Sequence, residues 1–372
     1  MHATAIRDQF PIAESYAYFN HAAISPPPRC AAEAMQRQVE DATLQGIHAF
    51  SGWVREYELL RCAAARMLRC DADEIAITKN TSEGLSAVAN GIDWRPGDTI
   101  VGLDSDFPAN YVPWRELQAR RGVRFRSLRL RNGALDLEEL DQACRGARLA
   151  ALSYVHFLTG FRWNLRAVGE ICRRRDCLLV VDAVQGMGAF EIDVKACGIH
   201  ALSAGAHKWL LGPEGCAIFY VDRSWMPSVQ PVEFGWASLE GFESYRSDGG
   251  LQPGARRFEC GTLNTVGCVG LRASIELLNE IGPNAGSTAI HALAERLLDG
   301  ARGRGYEPAA ERDRENGSGI VSLRKPGVDP AKAVLDLREE RVSTAERMGW
   351  MRVAPHVYNS DAEIDRLVEL LP

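Results

Sequence analysis

The sequence predicts an α/β protein, with a large domain on a mainly parallel sheet covered by helices and a smaller C-terminal α+β domain. Three observations carry this. After Asp71, short apolar runs alternate with amphipathic stretches of helical length, the pattern of crossover units whose strands are buried on both faces. Polar residues collect where those apolar runs end. From about residue 283 the rhythm changes to helices mixed with brief strands such as GIVSLRK and WMRVAPHVYN. The large domain is therefore expected over residues 15–282 and the small one over 283–372, with residues 1–14 packing on the latter.

Taken in order, residues 16–28 (YAYFNHAAISPPP) read as a short aromatic strand, a polar Asn20–His21 pair and a triple-proline exit that delays any helix until Arg29. Helical spacing runs from Cys30 to about Gln45 and from Trp53 to Leu68, with His48 at the joint. Strands EIAITKN, DTIVGLDSD, VRFRSLRL, LAALSYVHF, CLLVVDAV, HALSAGAH and CAIFYVD follow. Helices TSEGLSAVANGI, about Asn110–Arg121, near Leu137–Cys144 and about Arg166–Arg175 separate them. Sites in such sheets lie beyond the carboxyl ends of the strands. The polar residues at those exits are Asn80–Ser82, the Asp104–Phe107 stretch, Tyr154 and His156, Asp182 and Gln185, and His207 with Lys208. Residues 223–257, rich in Gly, Ser and aromatics, read as a long loop that covers the site or reaches a partner. A helix near Val269–Ile281 closes the large domain.

Composition narrows the function classes. Across 372 residues, 46% hydrophobic and 25% charged is the balance of a packed globular body. A net charge of −6 supplies no basic field for a phosphate backbone, so nucleic acid is not an expected partner. The dense basic stretch Arg120–Arg131 reads as a strand with one wet face. No leader-like N-terminus and no long apolar run is present, which points to a cytoplasmic protein with no membrane partner. The ten cysteines have no framework spacing and are expected to be reduced. Cys172 and Cys177, with His200 and His207, fit no standard zinc spacing and read as buried thiols, so no metal is expected.

The strand exits admit three chemistries. Dinucleotide binding needs G-x-G-x-x-G, but Gly186-Met187-Gly188 runs on into Ala-Phe-Glu; no P-loop and no G-x-S-x-G pentapeptide occurs. The third chemistry is Schiff-base catalysis with pyridoxal phosphate. It needs a lysine that readily loses its proton, a carboxylate for the pyridine nitrogen and a phosphate cradle. Lys208 supplies the amine. Asp182, ending an apolar strand, is costly to bury unless it meets a cation. Thr81 and Ser82 open a helix, where hydroxyls, free N–H groups and the helix dipole receive a phosphate together.

The ordered set NTSEG, DAVQ, AHKWLLGPEG, RFECGT and MRVAPHVYNSDAEIDRL resembles the class V aminotransferase family over nearly the whole chain. The resemblance implies fold type I and pyridoxal 5'-phosphate. It also implies Lys208 as the lysine bound to the cofactor, Asp182 on the pyridine nitrogen, Gln185 on the phenolic oxygen, and Thr81, Ser82 and His207 around the phosphate. By the same resemblance Thr262 reaches the phosphate of a neighbouring subunit, implying a homodimer with shared sites, and Arg352 clamps the substrate α-carboxylate. His48 is a candidate at the entrance.

Departures bear on the reaction. Phe107 stands where relatives stack a histidine on the cofactor ring. Gly205 stands where many relatives carry a phosphate-binding serine, so one hydroxyl is missing, with Ser203 either compensating or not. No cysteine follows Cys268, so the Arg341–Gly349 loop lacks the persulfide-forming thiol of desulfurases. Tyr154, His156 and Phe157 form either an aromatic substrate wall or a packed rim. The leading expectation is an aminotransferase acting on an amino acid or related amine. The alternatives are a C–S, C–Se or other Cβ/Cγ lyase, an epimerase, and a pyridoxal-phosphate-binding protein without turnover.

Overall fold

A computed structural model describes residues 3–241, 244 and 248–372. Its centre is a seven-stranded sheet made of β2 (Ile75–Thr78), β3 (Thr99–Leu103), β4 (Arg124–Leu128), β5 (Leu149–Ser153), β6 (Leu178–Asp182), β7 (Ala201–Gly205) and β8 (Ala217–Val221), in the order β2-β8-β7-β6-β5-β3-β4. All neighbours are parallel except β8, which runs antiparallel to both β2 and β7. Alternation along the strands builds two cores. Leu179 and Val181 of β6 join one with Leu202 and Ile218, while Val180 joins the other with Ala201 and Phe219.

The crossover helices fall where the apolar periodicity places them. Thr81–Gly91 is capped by Asn80, whose side chain accepts the Glu83 N–H at 3.0 Å. Leu165–Arg174 is capped in the same way by Asn164. The basic stretch corrects the expectation: Arg120 and Arg121 end the helix Val112–Arg121, and only Arg124–Leu128 is strand, at the sheet edge. Residues 223–257 contain short 3-10 turns at Met226–Ser228 and Trp236–Ser238. The part of this expected loop at 242, 243 and 245–247 lies outside the described residues.

Beyond the long helices Thr265–Ile281 and Pro283–Gly303, a four-stranded antiparallel sheet forms from Glu307–Pro308, Val321–Arg324, Ala345–Arg347 and Trp350–Val353. Its core joins Val321, Leu323, Met351 and Val353 to Leu293, Leu297, Ile364 and Leu367. The N-terminal segment is tied to this unit: Ala17–Tyr18 pairs in parallel with Val342–Ser343, Phe10 stacks on Tyr358 at 3.9 Å, and Arg7 bonds both carboxylate oxygens of Glu363 at 3.0 Å. The chain thus returns alongside its own start, with Asn20 bridged to Ala354 and the Ser25 N–H donating to the His207 carbonyl at 2.8 Å. Among the described residues no helix is long and apolar enough to cross a membrane.

Candidate active site

A cavity of about 360 Å³ opens at the carboxyl ends of the parallel strands, where polar exits were expected. Lys208, Asn80, Thr81, Ser82, Phe107, Gln185, His207 and Arg352 lie on its wall. Asp182 is buried below it at the end of β6 and accepts the Val184 N–H at 3.0 Å.

Burial sets the electrostatics. Asp182 is 2% exposed and forms no ion pair among the described residues. Desolvation, then the nearby Asp106 carboxylate, pushes its acid up to about 7, against the pull of Lys208. Lys208, in the turn after β7, is pushed down to about 8 by burial; Asp182 opposes this, while Arg352 and Arg347 add to it. Its Nζ lies 5.2 Å from the centroid of the Phe107 ring. A lysine so placed has a free amine within reach near neutral pH.

Arg352 is the most informative cation. It sits on the strand Trp350–Val353, is 3% exposed and makes no ion pair among the described residues. Nη1 donates to the Phe157 carbonyl at 2.9 Å, and Nε has no partner among the described residues. Burial pushes its guanidinium down to about 10. A buried, unpaired guanidinium facing a cavity is costly unless an anion completes it.

Gln185 is held on both sides of its amide: Nε2 donates to the Ala22 carbonyl at 3.0 Å, and Oε1 accepts Trp209 Nε1–H at 2.8 Å. One Nε2 hydrogen remains for a ligand. Trp209 stacks on His356, and His21 bridges the Ala354 carbonyl and the Tyr358 hydroxyl, so residues 20–24 are locked against the lysine turn. Thr81 Oγ1 accepts the Gly205 N–H at 2.9 Å, while Ser82 is exposed. A Cβ at Gly205 would stand 3.1 Å from the His207 ring and 3.2 Å from Thr81 Oγ1, a tight fit for a serine. Ser203 is no substitute: its buried Oγ points toward Gly84 of the neighbouring helix and has no partner.

Other candidates lie off this wall. Tyr154 is buried against Gly186, its hydroxyl donating to the Glu191 carbonyl at 3.3 Å. His156 is likewise internal: Nδ1 accepts the Thr159 N–H, which leaves Nε2–H to donate to the Ser105 carbonyl at 3.0 Å. The packed-rim alternative describes both; of the aromatic group only Phe157 reaches the cavity, edge-on to Phe107 at 5.5 Å. His48 is exposed on the turn Gly46–Ala49, and Thr262 is exposed beyond the turn Ala255–Phe258; neither lines this chain's cavity.

Two residues escaped the sequence reading. Arg347 lines the cavity from the strand beside Arg352 and has no ion pair among the described residues. An exposed arginine beside a tight turn carries no signal of its own. Asp106 accepts Ser153 Oγ–H at 2.6 Å, Asn110 Nδ2–H at 2.9 Å and the Phe107 N–H at 2.8 Å. It braces the Phe107 turn, and only its place at a strand exit hinted at it.

A family model described as aminotransferase class-V matches residues 17–367. The chain belongs to that family. A probable cysteine desulfurase of Pyrococcus abyssi is 28% identical over 98% of this chain and 96% of its own length. An uncharacterized aminotransferase of Bacillus subtilis is 28% identical over 91% of this chain and 90% of its own. Among solved structures, the apo cysteine desulfurase of Thermococcus onnurineus superposes with a TM-score of 0.91 at 27% identity, covering 99% of this chain and 96% of that one. A cystine C-S lyase complexed with its product cysteine persulfide superposes with a TM-score of 0.90 at 25% identity, covering 98% and 100%. The α/β architecture expected from the sequence is therefore the fold type I of class-V enzymes.

Proposed function

We propose that this class-V enzyme uses pyridoxal phosphate to cleave the Cβ–S bond of an amino acid, without storing sulfur on a cysteine of its own. The observation that carries substrate recognition is Arg352, a buried unpaired guanidinium on the same cavity wall as Lys208. The residues fit the cofactor. Asp182 is a buried carboxylate without a cation, Phe107 presents a ring face above Lys208 Nζ, and Thr81, Ser82 and His207 line the cavity beside the start of the helix Thr81–Gly91.

When bound, pyridoxal phosphate acidifies the α-carbon of an amino acid joined to it and accepts the released electron pair. Lys208 Nζ would hold the cofactor and, once freed by substrate, would take the α-proton. Asp182 would keep the pyridine nitrogen protonated, a cation that its buried carboxylate lacks among the described residues. The Gln185 Nε2–H that the protein leaves unused would orient the phenolic oxygen. Arg352 grips the α-carboxylate through its planar fork. The pair left by the Cα–H bond would then close a Cα=Cβ double bond as the Cβ–S bond breaks with its own pair on sulfur, and the proton taken by Lys208 would pass to that sulfur.

Two points support C–S cleavage over the transamination that led the sequence reading. Relatives named as desulfurases and a cystine lyase align over nearly the whole chain. The Arg341–Gly349 segment offers Arg347 to the cavity and contains no cysteine, which suits direct release of sulfur. Arg347 adds a second cation for substrates with a second anionic group. Transamination is the second reading, favoured by the relative named as an aminotransferase.

We further infer a homodimer. Leu44 and Ile47, 83% and 73% exposed, and the exposed Val39 and Phe50 are apolar side chains that a second copy would cover, and His48 and Thr262 would then serve the partner's cavity. The test of the reaction is product analysis with β-thio amino acids such as cystine. Lysis gives ammonia and a 2-oxo acid in equal amounts with no added amino acceptor. Turnover that requires a 2-oxo acid co-substrate defeats the lyase reading and establishes the second one.

A further inference from the structure

Far from this cavity, three cysteines that the sequence spacing left unrelated meet in space. Cys144 caps the helix Leu137–Ala143, Cys172 lies on the helix Leu165–Arg174, and Cys177 precedes β6. Their Sγ atoms all lie within 4.8 Å of one another, and all three side chains are buried. The Cys177 N–H donates to the Cys172 carbonyl at 2.9 Å, closing the short turn that brings these two thiols side by side. Spacing relates Cys172 to Cys177, which read as buried thiols, but gives no sign of Cys144 as the third member. His200 and His207, the imidazoles weighed with them, do not belong to the cluster.

We propose that Cys144, Cys172 and Cys177 form a binding site for a single thiophilic d10 cation, held by three thiolates. Soft sulfur donors without oxygen or nitrogen partners select such ions, among them monovalent copper, zinc and cadmium. Sulfurs around one ion at about 2.3 Å stand roughly 4 Å apart, so closing the cluster needs only rotamer-scale movement. Binding exchanges three S–H bonds for three S–metal bonds and releases three protons to solvent.

Charge and access agree with this. Arg126 Nη1 donates to the carbonyls of Ala143 and Arg145, the two neighbours of Cys144, and so places a fixed cation beside the sulfurs. A cavity of about 270 Å³ lined by Cys177, Asp176, Arg173 and His200 reaches one of the three cysteines. His200 Nδ1 already accepts the Leu179 N–H at 3.1 Å, which leaves the three sulfurs as the donor set.

The site is separate from the catalytic one. Cys177 stands before the first residue of β6 and Asp182 is its last, so the two lie at opposite ends of a strand, roughly 17 Å apart at about 3.3 Å per residue. A metal here serves structure or metal sensing and leaves the chemistry at Lys208 alone.

The test uses the reduced holoenzyme titrated with cadmium(II), and in parallel with monovalent copper under anaerobic conditions. The expected result is one equivalent bound, a thiolate-to-metal charge-transfer band, a cadmium NMR resonance in the range of three-sulfur coordination, and an unchanged visible band of the cofactor. Cys144→Ser and Cys177→Ser, one at a time, are expected to weaken binding at least 100-fold while C–S cleavage continues. The cadmium resonance of the unaltered protein reports the donor set even if a variant folds poorly. Retention of the band in both variants would assign the metal to other thiols and overturn the proposal. So would bleaching of the cofactor band by metal, or air oxidation of two of the three thiols to a disulfide with no metal uptake.

Discussion

Replacing Asp182 by Asn separates the cost of a buried carboxylate from its use. In the cofactor-free protein the acid is held near pH 7, against about 3.9 in an unfolded chain. A raised carboxyl pKa means the folded state holds the proton more tightly. Stability from this group is complete below about pH 4 and is lost as pH rises from there through 7. At about 1.4 kcal/mol per pH decade over roughly three decades, the ionised form costs the apoenzyme about 4 kcal/mol at pH 8, as an upper bound. The buried imidazoles of His21 and His356 titrate in the opposite sense, but they are common to both proteins and cancel in the difference. Urea unfolding of the two apoenzymes at several pH values is the assay. Apo Asp182→Asn should match the parent near pH 4 and exceed it by up to about 4 kcal/mol at pH 8, while the loaded variant loses most of its turnover. A stability difference that does not change with pH would refute the electrostatic reasoning.

Further outcomes follow from the same geometry. Lys208→Ala should abolish borohydride fixation of the cofactor to the protein, and a labelled peptide elsewhere in the chain would defeat the assignment. Arg352→Gln removes the fork from a buried ion pair and should lower kcat/KM by roughly 30- to 1000-fold, about 2–4 kcal/mol, mostly through KM, with Arg352→Lys recovering only part; steady-state kinetics decides it. Gly186→Ala would place a Cβ 2.2 Å from Tyr154 Cδ1 and should cost about 3 kcal/mol in urea unfolding; an unchanged midpoint would show that the packing gives way.

What was legible in the sequence was what local chemistry marks. Asp182 ends a run of four apolar residues, Lys208 precedes a Gly-Pro turn, and Thr81 opens a helix behind an asparagine cap; each advertises a strand exit. Side-chain direction beyond a strand end was not legible. Once β5 finishes at Ser153 its alternation lapses, so Tyr154 and His156 turn into the packing while Phe157 reaches the cavity. Arg347 and the three-cysteine cluster were hidden for a different reason. Their meaning depends on which distant elements the topology brings together, and a single chain with ordinary spacing does not encode that locally.

Arg347 and Arg352 ride on the two strands of one hairpin that turns through Met348 and Gly349, with Arg347 opposite Trp350 and Ala345 opposite Arg352. They are diagonal neighbours on one face, spaced about 7–8 Å at Cβ by the lattice of the sheet. On the proposed reading of Arg352, the hairpin would act as a caliper for molecules with two negative ends. One added residue in that turn would invert the face of one arginine and blind the caliper, whereas an added pair would reset its span. On that reading, substrate length would be set at a surface turn, apart from Lys208 and Asp182.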